Sequence, residues 1–187
     1  MSRVFVITGP SGVGKGTLIR LLRERIPELA LSVSATTRAP RPGEEDGVDY
    51  HFLDDEAFAR KADAGEFVEW AEYSGRRYGT LRSELQRQLD AGRPVVLEIE
   101  VQGARQVREA MPEAVQIFIE PPAGVALRDR LVGRGTDDPD EIARRMQVAG
   151  EELAAAGEFH HRVVNDRLDE ALARLQGIVG RALESDP

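Results

Sequence analysis

Residues 4 to 26 constrain the fold more than any other part of the chain. Val4-Phe-Val-Ile7 is an unbroken apolar run, Gly9-Pro-Ser-Gly-Val-Gly-Lys-Gly-Thr17 follows it, and Leu18, Ile19, Leu21, Leu22 and Ile26 then recur at helical spacing. The run is what a parallel strand buried on both faces requires, so the order reads strand, glycine loop, helix. Within the loop lies GxxxxGK, and its glycines have a physical reason. A backbone that wraps around phosphate oxygens with its amides inward passes through φ/ψ values that a side chain obstructs. The helix that begins near Lys15 adds its N-terminal partial charge, and the ammonium reaches the outer phosphates. Gly9, Pro10, Ser11, Gly12, Val13, Gly14, Lys15, Gly16 and Thr17 are therefore the expected phosphate-binding set. Of the 25 basic residues only Lys15 and Lys61 are lysines. A chance GxxxxGK at these Gly and Lys frequencies has a probability on the order of a few per cent, before its strand and helix flanks are considered.

The alternation continues. Val95-Val-Leu-Glu-Ile99 precedes a helical stretch to about Met111, Val115-Gln-Ile-Phe-Ile119 precedes another helix, and Val163-Val164 precedes the amphipathic Leu168 to Leu183. Strands alternating with helices predict an α/β fold with a parallel sheet covered by helices. Residues 33–88 break this rhythm. Turn signals at Pro40, Pro42-Gly43, Asp46-Gly47 and Ser74-Gly75, and a short helix near Glu56 to Ala64 ended by Gly65, predict hairpins in an inserted subdomain. A second insertion is expected at 127–150, where arginines crowd around the helix-start signal Asp137-Asp-Pro139. The remaining core is then 1–32, 89–126 and 151–187.

Charge and composition narrow the function. With 33 acidic against 25 basic residues the formal charge is -8, which argues against broad adhesion to nucleic acid or to an anionic membrane. There is no cysteine, no apolar run approaching membrane-spanning length and no charged-then-apolar leader. A cytoplasmic protein acting on small molecules is the expectation, with oligomeric state left open.

Three blocks carry more specific information: SVSATTRAPRPGEEDGVDYHF (Ser32 to Phe52), EFVEWAEYSGRRYGT (Glu66 to Thr80) and RGTDDPDEIARRM (Arg134 to Met146). With the phosphate loop they resemble guanylate kinase over nearly the whole chain. The resemblance implies the phosphate-loop nucleoside monophosphate kinase fold, in which 33–88 is a GMP-binding subdomain and 127–150 a mobile lid. It also implies transfer of the γ-phosphoryl of ATP to GMP, giving ADP and GDP, in purine nucleotide metabolism. The loop residues 9–17 become the ATP site, with Arg130 and, near the adenine, Asn165. Arg38, Arg41, Tyr50 and Tyr78 match positions that bind the GMP phosphate. Ser34, Glu69 and Thr80 match positions that hold the base, and Glu98 and Glu100 stand where the family usually has Asp. Lys15, Arg38, Arg134 and Arg145 are the expected catalytic set.

The residue chemistry agrees with these roles. Arg38 and Arg41 sit close enough on one segment to fork a phosphate monoester, for which the planar guanidinium is better shaped than an ammonium. A carboxylate at Glu69 accepts from guanine N1–H and the 2-amino group; adenine has an acceptor at N1 and lacks that amine. Cationic Arg134 and Arg145, closing over the transferred phosphoryl, would stabilise its charge and exclude water. The usual Ser or Thr that holds Mg²⁺ is Gly16 here, so Mg²⁺ is expected to ride on the phosphates and water, with Thr17 as the weak protein ligand. His51, His160 and His161 show neither a nucleophile partner nor metal-ligand spacing, and no general base is required. Two other readings fit the same residues. One is a phosphate-loop kinase for a different small phosphate such as AMP or a sugar phosphate; the other is a binding module that has the fold without catalysis. Surface salt bridges and half-buried sheet tyrosines remain the plain alternatives for the arginines and tyrosines taken singly.

Overall fold

A computed structural model describes residues 3–73, 75–122 and 139–185, with side chains in the last stretch from 147 onward. Two sheets organise the chain. A five-stranded one has the order β2-β7-β1-β8-β9, formed by β1 (Val4–Thr8), β2 (Ala30–Leu31), β7 (Val95–Glu98), β8 (Val115–Glu120) and β9 (His161–Val164). A four-stranded one has the order β4-β3-β6-β5, formed by β3 (Ala35–Thr36), β4 (His51–Phe52), β5 (Phe67–Tyr73) and β6 (Arg76–Leu81). The chain divides into two compact units, 1–5 with 28–114 and 6–27 with 115–187, and the division falls inside β1.

In the first unit β2 pairs in parallel with β7, Ala30 opposite Val95 and Leu31 opposite Val96. The second sheet is mainly a hairpin, β5 antiparallel to β6, turned at Gly75 with φ 70°. Helix α2 (Asp55–Asp63) begins where Asp54 accepts the Ala57 N–H at 2.6 Å and is followed by Gly65 at φ 68°. It lays Phe58 onto Phe67, with ring centroids 4.5 Å apart, in a small core completed by Ala35 and Leu81. Helices α3 (Arg82–Asp90) and α4 (Val101–Ala110) follow β6 and β7. Of the hairpins expected in 33–88 one is present, β5 with β6, together with the short helix; β3 and β4 pair in parallel instead, because the long turn-rich stretch between them reverses the chain twice. Helix α3 is an element that the turn signals of that segment do not predict. Its Glu84 is buried and accepts two bonds from Arg87, a pairing one helical turn apart that neutralises the carboxylate.

In the second unit the loop after β1 leads into α1 (Lys15–Arg25), and β8 pairs in parallel with β9 from Ile117 opposite His161 to Glu120 opposite Val164. Helix α5 is described from Pro139 to Ala154, consistent with the Asp-Asp-Pro start signal, and a single 3₁₀ turn (Ala155–Glu158) joins it to β9. The closing helix α6 (Leu168–Glu184) buries Leu172, Leu175, Ile178 and Val179, a spacing of three and four residues that places them on one face. Arg25 of α1 donates to Gln176 of α6 at 2.9 Å. The α/β arrangement and its parallel sheet are thus as expected. Residues 33–88 group with 89–114 in the first unit.

Candidate active site

The second unit carries the phosphate loop. Gly9, Gly12 and Gly14 have φ of 146°, 79° and 97°, values only glycine adopts at low cost. Gly14 is the N-cap of α1, and its carbonyl takes the Leu18 N–H at 3.1 Å. Lys15 is the first helical residue and only 8% exposed; its Nζ donates to the carbonyls of Gly9 at 2.5 Å and Pro10 at 3.3 Å, so the ammonium spans the loop it belongs to. Thr17 and Gly16 are exposed on the first turn. Asn165, buried at the end of β9, donates through Nδ2 to the Val13 carbonyl at 2.8 Å. Its position is a brace beneath the loop, which is a more specific placement than the adenine-side match gives.

Gly9 has the tightest surroundings. A Cβ there would overlap the Ile119 carbonyl oxygen outright and lie 3.1 Å from its carbon, at a φ already unfavourable to a side chain. Gly9→Ala is expected to destabilise the protein by at least about 2 kcal/mol, measured by urea unfolding. Gly180→Ala in α6, where an added Cβ meets nothing within 4 Å, is expected to be neutral or stabilising by under about 1 kcal/mol.

The first unit carries a pocket of about 270 Å³. Ser34, Tyr50, Glu69, Tyr78, Glu98 and Glu100, six of the nine residues expected on the GMP side, line it. Glu69 comes from β5 and is 3% exposed; its Oε1 accepts the hydroxyl of Thr80, its partner across the hairpin, at 2.8 Å. Burial pushes this carboxyl up to about 7 and the nearby Glu100 adds to the rise, while the side-chain and backbone bonds from Thr80 hold it down. Among the described residues, Oε2 of Glu100 is buried without a hydrogen-bond partner. A floor with one carboxyl near neutrality and one unsatisfied carboxylate oxygen is built to receive N–H donors.

Arg38 stands beside the pocket rather than in its lining. Its guanidinium carbon lies 5.2 Å from the Tyr50 ring centre, its Nη2 donates to Glu44 Oε1 at 2.8 Å, and Tyr50 meets Tyr78 edge-on at 6.2 Å. Glu44 holds Arg38 raised, and Arg38 in turn holds the Glu44 carboxyl below its ordinary range, assisted by the Arg41 N–H, which donates to Oε2 at 2.7 Å. Burial and the charge on Glu98 raise the Tyr50 phenol. Arg41 contributes its backbone here and its side chain is exposed. Glu44, which bridges the two residues matched to phosphate binding, is not among the residues that the sequence singles out; a carboxylate three residues after one arginine and six after the other is the signal that could have found it. Arg130 and Arg134 lie outside the described residues, and Arg145 is described only as a backbone position in α5.

A glycine loop at a helix start, spanned by a lysine, with a carboxyl-lined pocket in the other unit, defines a phosphotransferase of the phosphate-loop α/β class. A protein-family model described as Guanylate kinase matches residues 1–182. The chain is 53% identical over 180 residues to the guanylate kinase of Parasynechococcus marenigrum, covering 96% of this chain and 99% of that one. It is 56% identical over 174 residues to that of Frankia casuarinae, covering 93% and 95%. Among solved structures, guanylate kinase from Anaplasma phagocytophilum superposes with a TM-score of 0.77 at 32% identity, covering 99% and 87% of the two chains. The chain belongs to the guanylate kinase family.

Proposed function

We propose that the pocket of the first unit binds GMP and the loop of the second binds the phosphates of ATP, for the reaction ATP + GMP giving ADP + GDP. The observation that carries the acceptor assignment is Glu69, a buried carboxyl in the pocket lining whose environment leaves it ready to ionise against two N–H donors. Guanine supplies N1–H and the 2-amino group, with Ser34 and Thr80 as further base contacts. Arg38 and Arg41 take the GMP phosphate between Tyr50 and Tyr78, and the phosphate displaces the Glu44 carboxylate from Arg38. Residues 33–88 act as the GMP-binding part and 127–150 as the lid that brings Arg134 and Arg145 over the phosphoryl group.

An oxygen of the GMP phosphate attacks the γ-phosphorus, and the oxygen bridging β and γ leaves on ADP. The nucleophile is already ionised, so no side chain has to remove a proton. Catalysis is positioning and charge neutralisation by the loop amides, Lys15 and the arginines.

Mg²⁺ is the cation this chemistry calls for. Among the described residues no three of His, Asp and Glu gather as a preformed cage requires. What the loop offers is neutral hydroxyl oxygen, from Thr17 and Ser11. Such a donor set suits a cation that enters on ATP, with Thr17 as its protein-side contact. When bound, the ion would supply neutralisation of the charge that builds on the phosphate oxygens. Among the described residues no helix is long and apolar enough to cross a membrane; the cytoplasm is the proposed site of action, and neither nucleic acid nor membrane has a place in the reading.

Coupled measurement of ADP release with ATP and Mg²⁺ tests the proposal. GMP is expected to turn over with kcat/KM roughly 10⁴ or more above AMP, because the wrong base leaves desolvated polar groups unpaired. Equal rates with AMP would overturn the acceptor assignment. GMP binding without turnover would favour a non-catalytic module.

A further inference from the structure

Glu69 is held from behind by α4. Gly103, buried in the first turn of that helix, is the point of closest approach: a Cβ built there would overlap Glu69 Oε2 and stand 3.0 Å from its Cδ and 3.5 Å from its Cγ. Three residues on, and so on the same face of the helix, Gln106 pairs with the backbone of the next residue of β5. Its Oε1 accepts the Trp70 N–H at 3.1 Å, and its Nε2 donates to the Trp70 carbonyl at 2.7 Å. β5 ends the order β4-β3-β6-β5. Gln106 therefore supplies to an edge strand the pair of bonds that a neighbouring strand would otherwise make. A glycine inside a helix is locally unfavourable by roughly 1 kcal/mol relative to alanine. Here it has a counterpart, since no other side chain leaves room for a carboxylate against the helix backbone.

We propose that Gly103 and Gln106 are positioning residues for guanine selection: together they fix the depth and orientation of the Glu69 carboxylate, Gly103 by leaving its space and Gln106 by locking the strand that carries it. This rests on the reading of Glu69 as the base-contacting carboxylate. With a methyl group at position 103 the carboxylate must move towards the pocket by about an ångström or more. There it intrudes on the space of the base and no longer presents its two oxygens in line with N1–H and the 2-amino group. A misplacement of about 1 Å can lower kcat/KM on the order of 10²-fold.

The test compares Gly103→Ala, Gln106→Ala and Glu69→Gln with the wild-type enzyme and with Gly180→Ala, by steady-state kinetics with GMP, AMP and ATP varied separately. Gly103→Ala is expected to raise KM for GMP and lower kcat/KM for GMP about 30- to 100-fold, with KM for ATP unchanged and the preference for GMP over AMP narrowed. Gln106→Ala is expected to do the same to a smaller degree, about three- to tenfold, and carries the test if Gly103→Ala does not fold. Wild-type GMP parameters in whichever variants fold, or equal losses for GMP and ATP, would overturn the proposal. Should Glu69→Gln itself retain full preference for GMP, the reading of Glu69 falls first; if it loses preference while the α4 variants do not, only the positioning role falls.

Discussion

Glu69→Gln is expected to lower kcat/KM for GMP by roughly 10⁴ while making the protein more stable at pH 8. The two effects have one cause. A carboxyl whose titration moves from 4.5 to about 7 on folding holds its proton more tightly in the native chain than in the unfolded one. Below pH 4.5 both forms are protonated and the shift costs nothing. Between there and about 7 the unfolded chain ionises first, so stability falls as pH rises, and above 7 the full cost of about 3 kcal/mol is present. Gln has no such dependence. The variant's melting temperature should exceed that of wild type by up to about 10 °C at pH 8 and match it near pH 4. Calorimetry across that range checks the sign, and a variant less stable than wild type at pH 8 would show that burial is not the dominant influence on this carboxyl.

The same titration bears on selection. An ionised Glu69 offers acceptors alone, which suits guanine. Its protonated form offers one donor and one acceptor, the pattern that complements adenine N1 and the 6-amino group. Binding GMP therefore takes up the ionised form and releases a proton when the pH is below about 7, and GMP affinity should fall up to about tenfold per unit as pH drops from there towards 5. Preference for GMP over AMP should narrow over the same interval. The charged neighbour that faces the group, Glu100, acts in the same direction by favouring the protonated form.

The sequence revealed the parts of this molecule that rest on local chemistry. Val4 to Thr17 declared strand, loop and helix because apolar continuity, glycine spacing and helical periodicity each speak within a few residues. β7, β8, β9, α4 and α6 were legible for the same reason. Helix α3 was not, since it follows β6 with no intervening turn residue and its N-cap, Leu81, makes no side-chain capping bond. The residues of the pocket were legible wherever a residue type suits the proposed role, and Glu69, Tyr50 and Tyr78, which the blocks singled out, line one pocket. What stayed hidden depends on distance between segments. Gly103 carries no signal of its own until Glu69 is seen against it, and the adenine-side match of Asn165 says nothing of its amide bond to the Val13 carbonyl. The charge that joins Arg38 to Glu44 was in plain sight, yet only the bend of 38–44 makes it one bridge with the Arg41 backbone.

Lys15→Met is expected to reduce kcat by about 10³ or more and to leave GMP affinity as it was. Methionine preserves the aliphatic stem and removes the charge, so packing of the 8% exposed side chain changes little. What is lost is the donor proposed to reach the phosphates, which in the protein alone spans the carbonyls of Gly9 and Pro10. Among the described residues the pocket proposed for GMP is lined from positions 31 to 100, so equilibrium binding of GMP should not register the change. A parallel loss of GMP affinity would mean the two nucleotide sites are not independent. Lys15→Arg makes the sharper comparison. This chain has 23 arginines and two lysines, yet lysine stands at position 15, where the cation fits among its own loop's carbonyls. An ammonium is compact and turns its three donors freely, whereas a guanidinium is a rigid plane too broad for a ring closed by Gly9 and Pro10. The arginine variant should therefore be nearly as inactive as the methionine one despite its intact charge, with kcat at least about a hundredfold below wild type. Activity close to wild type would show that charge alone, and not its shape, is what the loop requires.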